Sequence, residues 1–180
     1  MNTPSRRPKT ADMTHIALFA VLLAVCSWIS IPLPPIPVTL QTFGVFSALL
    51  FLGGRRGTCA TGVWLLLGAA GLPVFSAFRG GIGILLEATG GYLLGFLLCA
   101  LVYWATAGKT ARIVRKVLAC LLGLLTCYAF GTAWYVLVYA RTAAGILPAL
   151  TACVFPFLLP DLAKLGLAFL LYRRLGRFLK

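Results

Sequence analysis

The sequence predicts an all-α integral membrane protein, a bundle of six transmembrane helices with both termini in the cytoplasm. Three observations predict it. Of the 180 residues, 61% are hydrophobic and only 11% charged, whereas an average soluble domain carries about 25% charged residues. The apolar residues gather into six runs, and about 20 such residues suffice to cross roughly 30 Å of hydrocarbon. The basic residues sit on alternate connections between those runs. Six spans consume nearly the whole length, giving one transmembrane domain at 13–175 between basic tails at 1–12 and 176–180. No room is left for a nucleotide-binding motor or a cytosolic catalytic domain.

The first run, Met13 to Ile31, follows Arg6, Arg7 and Lys9. Five further runs make it a retained helix rather than a cleaved signal. Pro32, Pro34, Pro35 and Pro37 interrupt the chain, and a second run extends from Val38 to Leu52. It ends at Gly53-Gly54-Arg55-Arg56-Gly57, after which a third run, Thr58 to Ala70, closes at Gly71-Leu72-Pro73. The stretch from Leu72 to Gly90 is rich in glycine but also holds Val74, Phe75, Phe78, Ile82, Ile84, Leu85 and Leu86. Those residues predict a folded loop, and a loop of that length in a small domain is commonly functional. The fourth run is Gly91 to Ala107, the fifth Val117 to Ala140 and the sixth Ile146 to Tyr172.

The 16 Lys and Arg against 3 Asp and Glu give a net charge of +13. In a soluble chain this would point to nucleic acid; beside apolar spans it is a topology signal, and no nucleic-acid partner is expected. Thirteen of the sixteen lie on one side: in the N-terminal tail, at Arg55 and Arg56, between Lys109 and Lys116, and in the C-terminal tail from Arg173. Arg79 and Arg141 lie on the other side, and Lys164 falls within a span. The excess predicts a cytoplasmic location for the first side. The proline loop, the glycine-rich loop and the Arg141 loop then face outward. The six cysteines lie almost wholly in apolar runs, with no CxxC and a single His, so they are expected to pack rather than to bind metal or form disulfides.

Asp161 and Lys164 are the candidates for function, because ionisable groups inside a span are costly and seldom idle. Three residues apart, they share a helix face. Asp161 lies twelve residues before Arg173, roughly 18 Å along a helix, which sets the pair in the outer half of the membrane as the floor of an outward-open cavity. Pro156 and Pro160 are expected to kink or interrupt the helix and leave Asp161 at a renewed helix start. Thr39, Gln41 and Thr42 open the second helix, and Thr89, Gly90, Gly91 and Tyr92 open the fourth. Helix starts carry unpaired N–H groups that glycine lets a ligand approach. Together these residues predict a pocket for a small polar molecule. In the first helix, Ala20 and Ala24 stand four apart, a spacing that allows close helix approach within the protein or to a partner.

Four strings resemble the BioY family, the biotin-specific substrate-binding (S) components of energy-coupling factor (ECF) transporters. They are Pro37-Val38-Thr39-Leu40-Gln41-Thr42-Phe43, Gly68-Ala69-Ala70-Gly71-Leu72-Pro73-Val74-Phe75, Thr89-Gly90-Gly91-Tyr92-Leu93-Leu94-Gly95-Phe96 and Pro156-Phe157-Leu158-Leu159-Pro160-Asp161-Leu162-Ala163-Lys164. The resemblance spans about residues 13 to 175. It implies a six-helix fold in the cytoplasmic membrane of a prokaryote with a biotin pocket near the outer face. It also implies a partner module of one coupling transmembrane protein and two ATPase subunits, which docks on small-residue motifs of the first helix, matched here by Ala20 and Ala24. The S component is then expected to topple in the membrane to release its substrate. No cofactor is implied, and ATP is used only by the partner subunits, in keeping with the lack of a GxxxxGK[ST] motif in this sequence. The sequence departs from the family's common strings at Glu87-Ala88, where Gly-Pro is usual, and at Leu159-Pro160, where Pro-Gly is usual.

Biotin suits the residues singled out. Asp161 can accept from a ureido N–H, Lys164 or Arg79 can meet the ureido carbonyl or the tail carboxylate, and Tyr92 and Phe75 can cover the apolar rings. The competing readings are an S component for another small vitamin, an intramembrane enzyme using Asp161 and Lys164 as acid and base, and a channel or structural subunit. The second lacks HExxH, GxSxG and a further intramembrane carboxylate.

Overall fold

A computed structural model of the protein describes residues 10–32, 36–108, 112–140, 151 and 153–175. Arg6, Arg7, Lys9, Pro34, Pro35, Lys109, Arg141, Arg177, Lys180 and the predicted helical stretch 146–150 lie outside the described residues. Among those described there are six α-helices: α1 (Thr10–Trp28), α2 (Gln41–Leu52), α3 (Gly54–Ala69), α4 (Gly90–Thr106), α5 (Ile113–Trp134) and α6 (Phe155–Leu175). A π-helical turn, Tyr135–Ala140, prolongs α5. By length and apolar content α1, α5 with its extension, and α6 are long enough to cross a membrane, while α2 and α4 are shorter apolar helices.

The sequence explains most boundaries. Asp12 places a negative charge in the first turn of α1, where the helix dipole favours it. Beyond Trp28 the chain turns extended, and Ser30–Ile31 pairs antiparallel with Val38–Thr39, the two strands of a small hairpin. A two-residue ladder has too little periodicity to be predicted. The turn expected at Gly53 to Gly57 is instead Gly53 alone, at φ +79°. Glycine takes that conformation without a side-chain clash, so α3 starts four residues earlier than predicted. Gly54 packs so closely on Trp104 of α4 that a Cβ would lie 2.6 Å from its Cα.

The connector 70–89 is folded, as its apolar content predicts. It contains two 3-10 turns, Ser76–Phe78 and Ile82–Leu86. The indole of Trp28 donates to the Pro73 carbonyl at 2.8 Å and stacks on Phe78, and that of Trp64 donates to the Val74 carbonyl at 3.0 Å. Phe75 is driven into the bundle against Gly68 and meets Trp64 edge-on at 5.3 Å.

Helices α4 and α5 form the tightest seam. A Cβ on Gly91 would come within 2.2 Å of Trp134, one on Gly95 within 2.8 Å of the Cys127 sulfur, and one on Gly123 within 2.7 Å of the Cys99 sulfur. Small residues four apart permit this approach, as they do between membrane helices generally. Cys99 and Cys127 are packing residues of this seam; all six cysteines are free, and Cys59 alone among them is exposed.

Helix α6 corrects the sequence reading at its start. It runs unbroken from Phe155 to Leu175 with Pro160 inside it, so Asp161 is not at a renewed helix start. Pro156 lies in the first turn, where N–H groups have no intrahelical acceptor, and Pro160 forfeits one ladder bond. At the end holding Arg173, the Arg56–Asp12 ion pair at 2.9 Å joins α3 to α1, and Lys116 donates to the Tyr172 hydroxyl at 2.8 Å to join α5 to α6.

Candidate functional site

The opposite end of the bundle encloses a cavity of about 510 Å³, within the range of small-molecule sites. The proline hairpin contributes Ser30, Pro32, Ile36 and Pro37, and the connector contributes Phe75, Arg79, Ile84 and Glu87. Most of the remaining lining comes from α2, α4, α5 and α6. This geometry accounts for the shortness of α2 and α4. Both begin at the cavity, with Gln41 and Thr42 at one start and Thr89 and Tyr92 at the other, and the hairpin and folded connector occupy the depth those helices leave unspanned.

Asp161 forms the floor. It is 4% exposed, and both carboxylate oxygens are taken: Lys164 Nζ donates to Oδ1 at 2.7 Å and Tyr128 Oη to Oδ2 at 2.6 Å. A buried carboxylate survives only with such partners. Lys164 has two further N–H donors, and it too lines the cavity. The floor therefore presents a carboxylate, an ammonium and a phenol together, with a net charge of zero.

The polar side wall is a relay from α2 to α1. Thr39 Oγ1 donates to Gln41 Oε1 at 2.9 Å, Gln41 Nε2 donates to Ser27 Oγ at 2.9 Å, and Ser27 Oγ donates to the Leu23 carbonyl at 2.8 Å. Gln41 is thereby fixed in one orientation with its amide already engaged. Tyr92 faces the cavity and shares a hydrogen bond of 3.1 Å with Thr132 of α5. Phe75, Phe96, Phe157 and Leu124 supply apolar wall. At the mouth Arg79 pairs with Glu87, and both side chains are about half exposed.

Seven of the residues predicted from sequence, Asp161, Lys164, Gln41, Thr39, Arg79, Tyr92 and Phe75, thus converge on one cavity. Gly90 and Gly91 do not line it. Both are buried; the Gly90 N–H donates to the Glu87 carbonyl at 3.0 Å, and a Cβ at Gly90 would meet the Leu85 carbonyl oxygen at 1.9 Å. Their smallness serves the turn and the α4–α5 seam, not ligand approach. Ala20 and Ala24 are 3% and 6% exposed and pack inside the bundle; the outward face of α1 carries Ala17, Leu18, Val21 and Val25. Tyr128 is the residue sequence reasoning missed. Its signal was a hydroxyl in an apolar run, shared with Tyr92 and Tyr103.

The BioY family model matches residues 1–180. The chain is 42% identical over 166 residues to a protein of Thermotoga maritima named biotin transporter BioY, covering 92% of this chain and 96% of that one. It is 35% identical over 167 residues to a probable biotin transporter BioY of Pyrococcus horikoshii, covering 93% and 97%. Among solved structures, the S-component for biotin from an ECF-type ABC transporter superposes with a TM-score of 0.80 at 24% identity, over 98% of this chain and 95% of that one. The fold is that of an ECF S component, and the chain belongs to the BioY family.

Proposed function

We infer that the protein binds biotin in this cavity and serves in biotin uptake across the cell membrane as the substrate-specific subunit of an ECF-type transporter. The single observation that carries the reading is the Asp161 carboxylate held at the cavity floor between Tyr128 and Lys164, in a chain whose relatives are named biotin transporters. A ureido ring offers two N–H donors and one carbonyl. Asp161 suits the donors, a free N–H of Lys164 suits the carbonyl, and a floor of zero net charge suits a neutral ring. Tyr92, Phe75, Phe96 and Phe157 suit the apolar thiophane and valeryl parts, whose burial supplies about 25 cal/mol per Å². The tail carboxylate then reaches the mouth, beside Arg79.

The cavity end faces outward in this reading and both termini lie in the cytoplasm, since Arg55, Arg56, Arg112, Arg115, Lys116, Arg173 and Arg174 sit away from the cavity. Energy comes from a separate coupling transmembrane protein with two ATPase subunits, and no cofactor resides in this chain. Engagement of that module through Ala20 and Ala24 requires α1 to part from its neighbours, because both alanines are buried.

Equilibrium titration of the purified protein with labelled biotin tests the reading. Saturable binding at one site per chain, competed by unlabelled biotin and weakened by Asp161→Asn, is expected. Absence of saturable binding would refute it.

A further inference from the structure

The connector between α3 and α4 brings two charged side chains to the cavity mouth, Arg79 and Glu87, and they pair with each other. Neither backbone is free to drift. The Phe75 N–H donates to the Arg79 carbonyl at 3.0 Å, the Glu87 N–H donates to the Ile84 carbonyl at 3.2 Å, and the Gly90 N–H donates to the Glu87 carbonyl at 3.0 Å. Glu87 is therefore held between the second 3-10 turn and the start of α4, with its carboxylate on the guanidinium. The floor network makes no use of either residue: Asp161 is held by Lys164 and Tyr128. Among the described residues Arg79 is thus the cation at the mouth, and it is already paired with Glu87.

We propose that Glu87 is a specificity-determining residue, which holds the Arg79 guanidinium in an internal ion pair and so removes most of the preference this site would have for an acid-tailed ligand over a neutral-tailed one. The inference rests on the biotin reading above. A guanidinium has five N–H donors, so a ligand carboxylate can still reach Arg79. It must then share that group with Glu87, and the attraction it gains is offset by repulsion from a second carboxylate on the same cation. A ligand whose tail ends in an ester meets no such repulsion.

The test is equilibrium binding of biotin and of biotin methyl ester to the purified full-length protein, to Glu87→Gln and Glu87→Ala, and to each of these combined with Arg79→Met. The wild type is expected to bind acid and ester within about threefold of each other, as partly exposed ion pairs are weak. Both Glu87 variants should tighten acid binding by about two- to fivefold, the most an exposed pair of this kind is worth, and leave ester binding unchanged. The gain should vanish in the Arg79→Met background. Equal changes for acid and ester would show that Glu87 acts through the connector's conformation, and weaker acid binding would show that the pair organises the mouth; either overturns the proposal. If the wild type binds neither compound, the biotin reading itself fails, and this inference with it.

Discussion

Replacing both members of the floor ion pair separates a binding role from a bracing one. Lys164 and Asp161 have side chains 11% and 6% exposed and lie 2.7 Å apart. Removing one partner of a buried pair costs about 3 to 5 kcal/mol, because the other charge is left uncompensated. In Lys164→Met the Tyr128 hydroxyl still donates to Asp161 Oδ2, so the lower figure applies, about 3 kcal/mol. At about 2 to 4 °C per kcal/mol for a chain of this length, melting falls by about 6 to 12 °C. Asp161→Asn strands Lys164 and should fall by a similar amount.

The double variant Asp161→Asn with Lys164→Met holds no unpaired charge. Replacing a buried pair by neutral groups of like shape is close to neutral for stability, so melting should return to within a few degrees of wild type. Biotin affinity should not return. Hydrogen bonds to charged groups are worth about 1.5 to 3 kcal/mol, and at about 1.4 kcal/mol per decade their loss weakens binding by about ten- to a hundredfold. Thermal unfolding of the ligand-free proteins and equilibrium dialysis with labelled biotin read the two effects independently. A double variant that regained stability and also bound biotin within threefold of wild type would show that the pair merely braces α6.

Three further outcomes are expected. Tyr128→Phe removes one of the two donors to the buried Asp161 carboxylate and should cost about 1.5 to 3 kcal/mol, the value of a hydrogen bond to a charged group, lowering melting by about 3 to 12 °C; a melting temperature within about a degree of wild type would detach Tyr128 from the Asp161 network. Ala24→Leu overpacks a residue 6% exposed and should lower thermal stability by about 1 to 3 kcal/mol, whereas Ala17→Leu, on the outward face of α1, should leave stability within about 0.5 kcal/mol. In a background without native cysteines, Ser76→Cys should react with an impermeant thiol reagent on intact cells and Arg174→Cys should not; the reverse pattern would overturn the cytoplasmic placement of the termini.

What the sequence disclosed and what it hid follow from how far each signal reaches. The helical runs and the Asp161–Lys164 pair are local features; the pair and the body of each described helix stand where i,i+3 spacing and hydropathy put them, while several helix ends are shifted by three to four residues. Gly91 misled because a glycine at a helix start has two uses. Its spacing to Gly95 and Cys99 already indicated the packing one, since those three residues fall on the face that meets α5. The Gly53 turn was read too long, as one residue at positive φ suffices where five small or basic residues invite a loop. Tyr128 lies thirty-three positions before Asp161 on another helix. Nothing along the chain distinguishes it from Tyr103, which is buried away from the cavity.

The charges lining the cavity balance among the described residues: Asp161 with Lys164 at the floor, Arg79 with Glu87 at the mouth. A ligand bearing one negative charge therefore finds no net countercharge among these residues. Its carboxylate is cheapest to leave in water, because drawing an ionised group into an apolar cavity without a dedicated partner costs several kcal/mol. On the proposed reading, that consideration sets the polarity of entry. The neutral ring must lead and the charged tail must trail toward the half-exposed Arg79–Glu87 pair. Affinity then resides in the hydrogen bonds at the floor and in the apolar wall, both screened from bulk salt, whereas only the weak mouth interaction is exposed to it. Biotin affinity should accordingly change less than about threefold between 50 and 500 mM NaCl, since exposed pairs are worth at most about 1 kcal/mol. A fall of an order of magnitude or more in equilibrium dialysis would place the carboxylate on an unmasked cation and refute this orientation.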